Sequence, residues 1–476
     1  MAWDGMRMLG WKWYEKALEA FLVREESVKK KEKPYLQYRI GKMYASGLGA
    51  EQNYEKAAHW FSQAAAMDHK YAQYSLAGLY RRGRGVEQND IRAFSLYMSS
   101  AEQGNPYASL ELAKMYRDGL GTEPDLQQAE WRFQNAYSGF VVLEEKSHDD
   151  KLQYRIGQML HTGTGTSKDD EGAARYWEKS AKLGNINAQY ALGTLWLETG
   201  SGDSGQAVEW LTKAANAEHS AAQYVLGKLY QDGVYFNKDM DQAMKWFRSA
   251  AELGNEYAAY RMGCLLLLGE EIPKDVEAAV KWLSLSAEKG NPYAQYRLGM
   301  LYLKGEEYSP QVEVAMKWLQ QAAEQKNEWA FYQLGKLYLS GEHVTKNVET
   351  AVHYLGLCAE KGNQYAQYVL GKLYLCGRDV SRDREKAVEY LTASAEQGNL
   401  YASFLLEHLD AYQDPSLFLA ATRLLHHLEK LFCEEVQRPM EMKRYQIDRK
   451  RRRKLLEKKQ AQGHHRDDQE PAQGIY

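Results

Sequence analysis

The sequence predicts an all-α fold, a solenoid of about ten to eleven tandem helix-turn-helix repeats. Two observations carry this prediction. A nonapeptide of the form A-x-Y-x-L-G-x-x-Y recurs along the chain, mostly at steps of 36 residues. Each copy is followed by a turn and then by a second segment in which Ala and aromatic residues recur at helical spacing. A fixed period of this size is typical of stacked repeat units, each of which buries its apolar face against its neighbours.

The nonapeptide forms the first helix of each repeat. Its positions one, five and eight are small or apolar and share one helical face. A glycine usually stands at position six, where it costs about 1 kcal/mol relative to Ala, so we expect another backbone to pack closely there. Successive copies are 36 residues apart, except for one step of 44 and one of 34. The copies begin at Leu36, Ala72, Ala108, Leu152, Ala188, Ala222, Ala258, Ala294, Ala330, Ala366 and Ala402.

The second helix of each repeat has the pattern A-x-x-W-x-x-x-A-A. Its aromatic residue is predicted to be buried, because a buried aromatic ring stabilises a core through its large apolar area. Leu96 and Arg132 depart from this pattern. We expect one equivalent buried site for Trp60, Trp177, Trp210, Trp246, Trp282 and Trp318, continued by Tyr354 and Tyr390.

Turn residues define where the second helices begin and end. An Asp or Asn stands four residues before the first Ala in nine of ten repeats, and Gln311 is the exception. Such side chains accept hydrogen bonds from unpaired amides at a helix start. A Gly-Asn pair usually follows the helix, and glycine accepts the left-handed conformation that ends it. The predicted N-caps are Asn53, Asn89, Asp125, Asp169, Asp203, Asp239, Asp275, Asn347 and Asp383.

The repeat pattern divides the chain into four parts. Residues 1–35 hold a partial N-terminal repeat with an extended helix, and no first helix precedes it, so one face is expected to be bare. Residues 36–410 form the solenoid, with a second extended segment just before Leu152. Residues 411–437 begin with Asp414-Pro415 and continue as an apolar stripe, which predicts a capping helix. Residues 438–476 are predicted to be a basic, largely disordered tail.

Charge and cysteine content favour a cytoplasmic protein. The net charge is −3, but residues from Arg438 onward contain 12 Lys or Arg and 6 Asp or Glu. The four cysteines lack metal-ligand spacing, and we interpret them as buried, reduced thiols. The N-terminus lacks the features of a signal peptide, and no apolar run is long enough to span a membrane.

The sequence offers no catalytic, metal or cofactor site. The loop TGTGTSKDD at 162–170 lacks the full phosphate-loop motif and follows a helix, so it is interpreted as an inter-helix turn. RGRGVEQN at 82–89 is interpreted in the same way. The pairs His426-His427 and His464-His465 are adjacent, whereas metal-binding helices present imidazoles four residues apart.

Positions four and seven of the first helix point away from the apolar stripe and vary between repeats. In α-solenoids the first helices commonly line the concave surface, so these positions are candidates for binding a protein partner. The alternative is a solvated face whose charge keeps the protein soluble. The candidate residues are Arg39, Lys42, Arg155, Gln158, Val225, Lys228, Arg297, Met300, Gln333, Lys336, Val369 and Lys372.

The tail contains a strongly basic run, in which eight of the eleven residues from 449 to 459 are Lys or Arg. Such a run can neutralise phosphates and give salt-dependent, sequence-independent affinity for nucleic acid. The alternatives are a solvated tail or a segment that docks on a protein. The basic residues are Arg449, Lys450, Arg451, Arg452, Arg453, Lys454, Lys458 and Lys459.

The nonapeptide, the G-x-G loop, the Asp cap, the A-x-x-W helix and the closing Gly-Asn together resemble Sel1-like repeats, which are related to tetratricopeptide repeats. The resemblance covers residues 10 to about 410. It implies a right-handed α/α superhelix that serves as a scaffold for protein interaction. One branch of the family has a disulfide in each repeat and is linked to β-lactam binding. The cysteines here are not paired within repeats, so we do not transfer that activity.

A second resemblance concerns residues 418–432 and 447–470, which are similar to the C-terminal region of MobP/MobL-type relaxases. In those proteins Sel1-like repeats follow a DNA-nicking domain, which this sequence lacks. The main hypothesis is therefore a non-enzymatic cytoplasmic scaffold that binds protein, as an accessory or truncated half of a transfer system. The alternative is a DNA-associated protein that binds nucleic acid through the tail.

Overall fold

The computed structural model describes residues 2–200, 204–305, 311–407 and 409, with side chains from residue 11 onward. The described residues form 22 α-helices and no strand, which confirms the all-α prediction. The predicted capping helix at 411–437 and the tail at 438–476 lie outside the described residues, as does the predicted cap Asp203.

The helices alternate between second and first helices of the repeats. Even-numbered helices carry the nonapeptide, and odd-numbered helices carry the aromatic pattern. Their bounds are α1 Ala2–Ser27, α2 Lys33–Ser46, α3 Tyr54–Ala66, α4 Lys70–Arg82, α5 Asp90–Glu102, α6 Pro106–Asp118, α7 Leu126–Ser147, α8 Asp150–Thr162, α9 Asp170–Lys182, α10 Ile186–Thr199, α11 Ser204–Asn216, α12 Ser220–Asp232, α13 Met240–Glu252, α14 Glu256–Leu268, α15 Val276–Glu288, α16 Pro292–Lys304, α17 Val312–Glu324, α18 Glu328–Ser340, α19 Val348–Glu360, α20 Gln364–Cys376, α21 Arg384–Glu396 and α22 Leu400–Glu407.

The chain forms two compact units, Met1–Ser286 and Ala287–Tyr476, which we call unit 1 and unit 2. In each unit a helix packs mainly against the helices before and after it in the sequence. The apolar core is accordingly a string of small clusters, each formed by consecutive helices. This local packing is expected for repeats that contact only their neighbours.

The structure corrects the prediction for the aromatic site. Seven of the eight predicted residues are only half-buried: Trp60, Trp210, Trp246, Trp282, Trp318, Tyr354 and Tyr390. The residue directly after them fills the core: Phe61 is 2% exposed, and Phe247 is 0% exposed. The prediction was wrong because it judged burial from residue size, whereas the face of the helix decides it.

The prediction also grouped Trp177 with the wrong residues. Trp177 lies four residues after Ala173, as Phe61 does after Ala57, so it occupies the inner position and is 4% exposed. Its neighbour Tyr176 is the true counterpart of the half-buried tryptophans.

The inner residue explains the glycine at position six of the nonapeptide. A Cβ atom at Gly227 would lie 2.6 Å from the Phe247 ring, and one at Gly263 would lie 2.6 Å from the Leu283 side chain. The expected close approach of another backbone also occurs, because a Cβ at Gly193 would lie 2.9 Å from the carbonyl oxygen of Ala207. The main constraint on this glycine is nevertheless a side chain of the second helix.

The predicted N-caps of the second helices are confirmed wherever the structure describes them. Asn53, for example, accepts from the amide of Lys56 at 2.8 Å, and Asp383 accepts from that of Lys386 at 3.0 Å. Gln311 makes no side-chain cap hydrogen bond, as expected.

The Asn of each Gly-Asn pair has a role that the sequence reasoning missed, because it caps the next first helix. Asn255 accepts from the amide of Ala258 at 2.9 Å, and Asn363 accepts from that of Ala366 at 3.0 Å. Gly254, which precedes Asn255, has the predicted left-handed conformation with φ of 91°.

The second glycine of each G-x-G loop packs against the preceding repeat. A Cβ atom at Gly85 would lie 2.2 Å from the carbonyl carbon of Tyr54, at the start of the previous second helix. Later repeats lack this glycine, and ion pairs join some of their loops instead. Lys238 pairs with Glu271, and the Lys346 ammonium lies 2.5 Å from the Asp379 carboxylate.

The predicted extended helices are present as α1, with 26 residues, and α7, with 22 residues. In α1 the side chain of Trp13 is exposed, at 72%. In α7 Glu144 is buried and accepts a hydrogen bond from Gln153 at 2.8 Å, which joins the extension to α8.

The described cysteines form no disulfide bond. Cys264 and Cys358 are buried, and Cys376 is half-buried. Cys358 donates to the carbonyl oxygen of Glu328 at 3.3 Å, at a position where Ser286 donates to that of Glu256 at 2.7 Å. Burial raises the pKa of the Cys358 thiol to about 12. This thiol is therefore a neutral structural donor at physiological pH.

Candidate protein-binding surface

The twelve candidate residues all lie on first helices of the repeats. We call the following residues of these helices the first-helix face: nonapeptide positions three, four and seven, and the residue directly before the nonapeptide. None of the twelve candidate residues is buried. Arg39, Lys42, Gln158 and Lys336 are exposed, and the other eight are half-buried. Their contact with a partner stays a prediction.

In four repeats a lysine at position seven lies beside the ring of the tyrosine at position three of the same helix. The ammonium of Lys42 lies 5.9 Å from the ring centroid of Tyr38, and that of Lys336 lies 5.7 Å from the ring centroid of Tyr332. Residues four apart are neighbours on a helix surface, and a cation above an aromatic face is attracted by the ring. The same contact recurs for Lys228 with Tyr224 and for Lys372 with Tyr368, each at 5.9 Å.

The position-three tyrosine also contacts the next repeat. In unit 2 the ring centroids of Tyr332 and Tyr365 are 6.3 Å apart, and those of Tyr368 and Tyr401 are 6.1 Å apart. Unit 1 repeats the arrangement in Tyr38 with Tyr71, Tyr74 with Tyr107 and Tyr224 with Tyr257. The sequence reasoning singled out only positions four and seven and missed these pairs. The signal was available, because tyrosine recurs both at position three and just before the nonapeptide.

A tyrosine with its ordinary pKa of about 10 is already neutral at physiological pH, and here that pKa is raised further by burial. Burial is the largest cause that raises the pKa of Tyr38, Tyr74 and Tyr224. Their hydroxyl groups therefore stay protonated at physiological pH and can donate hydrogen bonds.

The first-helix face is rich in cations. Across the ten nonapeptides that begin between 36 and 366, positions four and seven carry nine Lys or Arg and a single carboxylate, Glu111. Glu111 is itself paired with Arg81 at 3.2 Å and Lys114 at 2.7 Å. Arg155 lies 5.5 Å from the ring centroids of both Tyr107 and Phe140. The face therefore offers ammonium, guanidinium and phenol groups, a chemistry that suits carboxylates and carbonyl oxygens of a partner.

The glycine-rich loops serve as inter-helix turns. Gly163 ends α8 in the left-handed conformation, with φ of 69°. A Cβ at Gly165 would lie 2.3 Å from the carbonyl carbon of Phe133, so this glycine is required for packing. Within the described residues no group of three or more His, Cys, Asp or Glu could hold a metal ion. The two His-His pairs and the eight basic residues at 449–459 lie outside the described residues.

Comparison with protein families identifies the repeat. The sequence model of the Sel1 repeat matches ten segments, at 34–69, 70–105, 106–131, 151–185, 186–219, 220–255, 256–291, 292–327, 330–363 and 364–399. Among curated proteins, chitin synthase regulatory factor 1 of Schizosaccharomyces pombe is 31% identical over 106 residues. That match covers 21% of this chain and 23% of the yeast protein.

One solved structure gives the same result, and a second is similar in sequence. The c5321 protein, a protective antigen of uropathogenic Escherichia coli with an SLR fold, matches with a TM-score of 0.50 and 27% identity, over 83% of this chain and 84% of that chain. A Sel1 repeat protein from Oxalobacter formigenes is 28% identical, with a TM-score of 0.46, and the match covers 73% of this chain and 95% of that chain. Within the described part of this chain, no helix is both long enough and apolar enough to cross a bilayer.

Proposed function

Since the chain belongs to the Sel1 repeat family, whose repeats generally mediate protein–protein interaction, we propose that it is a non-enzymatic scaffold that binds a protein partner through its first-helix face. The observation that carries the proposal is the excess of cations at positions four and seven, nine against one carboxylate. A face that served solubility alone would need no such bias of sign and no repeated tyrosine pairs. The chemistry favours a partner segment rich in carboxylates.

We further propose that the protein acts in the cytoplasm, within plasmid or integrative-element transfer machinery. The cysteines are not paired within repeats and lack metal-ligand spacing, which supports a reducing compartment. The similarity of residues 418–432 and 447–470 to the C-terminal region of relaxases supports the link to transfer.

The test is charge reversal on the first-helix face. The double variant Lys336→Glu and Lys372→Glu is expected to weaken binding of the physiological partner at least tenfold. Charges at the rim of an interface contribute about 1 kcal/mol each, and reversal adds repulsion. The wild-type chain and the variant would each be used to capture proteins from the native host. Proteins that only the wild-type chain retains would be purified, and their affinities for both chains would be measured by calorimetry.

The matched control reverses two exposed lysines on second helices, Lys245→Glu and Lys317→Glu. The control variant should retain the partner with unchanged affinity. Equal loss of binding by both variants, or equal retention by both, would contradict the proposed use of the first-helix face.

A second candidate function is binding of nucleic acid through the tail, which the basic run at 449–459 favours. If the full chain contacts about six phosphates, its affinity for duplex DNA should fall about a thousandfold between 50 and 200 mM salt. A full-length variant with residues 449–454 replaced by Gln should bind weakly at all salt concentrations. Filter binding over a salt series measures the DNA affinity of the full chain and of the variant. Equally negligible retention of DNA by the two proteins would eliminate this function.

A further inference from the structure

The last four second helices end in the same residue type, and all four end residues lie in unit 2. α15, α17, α19 and α21 end at Glu288, Glu324, Glu360 and Glu396, at steps of 36 residues. All four side chains are exposed. We call these four residues the glutamate row.

Helix stability does not explain the glutamate row. The C-terminal end of a helix carries partial negative charge, so a carboxylate there is disfavoured. Unit 1 follows no such rule, since the equivalent positions hold Ala66, Glu102, Ser138, Lys182, Asn216 and Glu252. A disfavoured charge at four successive repeats points to a role in binding.

The glutamate row is not neutralised within the fold. Among the residues that the structure describes, none of the four carboxylates forms an ion pair. The nearby ammonium of Lys361 lies 5.4 Å from the Phe331 ring centroid and donates to the carbonyl oxygen of Lys326. The four carboxylates therefore face solvent without a direct ion pair to any described residue, and Lys326 and Lys361 lie beside two of them.

Two grooves lie along the glutamate row. A groove of about 560 Å³ is bordered by Glu324 and Glu360, and one of about 410 Å³ is bordered by Glu288 and Glu324. The floor of the larger groove is apolar and includes Ala323, Phe331, Tyr354 and Leu357, while Lys326 and Lys361 line it together with the two carboxylates.

The apolar floor arises from a departure from the repeat. Phe331 stands at position two, where neighbouring repeats have a glutamine. Gln295 donates to the carbonyl oxygen of Ala287 at 3.1 Å, and Gln367 donates to that of Ala359 at 3.2 Å. Replacement of this polar group by a phenyl ring creates an apolar site between two carboxylates.

One segment of the same chain has complementary chemistry. Residues 449–459, RKRRRKLLEKK, contain eight cations and two adjacent leucines, Leu455 and Leu456. The 39 residues between Leu409 and Arg449 can span up to about 130 Å when extended, so reach is not limiting. We propose that residues 449–459 bind the glutamate row of unit 2, with their cations on the carboxylates and the two leucines on the apolar floor of the larger groove.

This interaction would be self-inhibitory. The cations that contact the glutamate row are those that would contact phosphates, so nucleic acid and the row compete for the same segment. High salt weakens both interactions.

Zero-length coupling of carboxylates to amines in the full-length chain tests the proposal. Carbodiimide treatment is expected to give amide cross-links from Lys450, Lys454 or Lys458 to Glu324 or Glu360, identified by mass spectrometry. A mixture of isotope-labelled and unlabelled protein shows whether each cross-link joins residues of one chain. Cross-links within one chain support the proposal, whereas cross-links between chains only would assign the row to a second copy and overturn it.

Trypsin cleavage provides a second measurement. In the double variant Glu324→Gln and Glu360→Gln, cleavage within 449–459 is expected to be about tenfold faster than in the wild type. The matched control, Glu102→Gln and Glu252→Gln in unit 1, should leave the rate unchanged. Equal rates in all three proteins, or cross-links to Glu102 and Glu252 as abundant as those to the row, would overturn the proposal.

Discussion

Replacing Phe247 with Ala is expected to lower the free energy of unfolding of the surrounding repeats by about 3–5 kcal/mol. The Phe247 side chain is 0% exposed and packs in a cluster with Ala243, Ala250 and Met262. Its ring lies directly against Gly227, where no side chain can expand into the space that the substitution leaves. The cost therefore combines lost apolar burial with an unfilled cavity.

The neighbouring Trp246 is the matched control, because it is larger but only half-buried. Its replacement by Ala is expected to cost about 2 kcal/mol or less. Repeat arrays need not unfold in one step, so hydrogen exchange of the amides in α12, α13 and α14 should accompany chemical denaturation. A larger loss for Trp246→Ala than for Phe247→Ala would show that the outer position carries the core.

Replacing Gly85 with Ala is expected to destabilise the junction between the first repeats by about 2–5 kcal/mol. Gly85 has φ of 68°, a left-handed conformation that costs other residues about 1–2 kcal/mol. In addition, the new Cβ would lie 2.2 Å from the Tyr54 carbonyl carbon, and the backbone shift needed to relieve this overlap adds about 1–3 kcal/mol.

Gly104 separates the two contributions. Its φ of 72° is similar, but a Cβ there would have nothing within 4 Å. Gly104→Ala should therefore cost only the conformational part, about 1–2 kcal/mol. Hydrogen exchange in α3, α4 and α5, together with thermal denaturation, measures both variants. Equal losses of stability in the two variants would mean that the loop around Gly85 adapts to the added methyl group.

The repeat boundaries and caps could be predicted because their causes are local. The Asp383 carboxylate accepts the amide of Lys386, three residues later, and Gly254 needs only its own left-handed conformation. Both features depend on a few neighbouring residues, so one sequence was sufficient. The first-helix face was predicted only in part. Tyr332 and Tyr365 meet across two repeats, and such a contact depends on how successive repeats are placed.

The sequence by itself determined the all-α class, the two-helix repeat and the ends of most helices, because periodicity and capping act within a few residues. The tertiary structure decided which of two adjacent residues enters the core, as with Trp246 and Phe247, and which exposed charges form a row. The physical reason is that burial and surface charge depend on the rotation of each helix against its neighbours. A rotation of one residue, about 100°, exchanges the inner and outer positions.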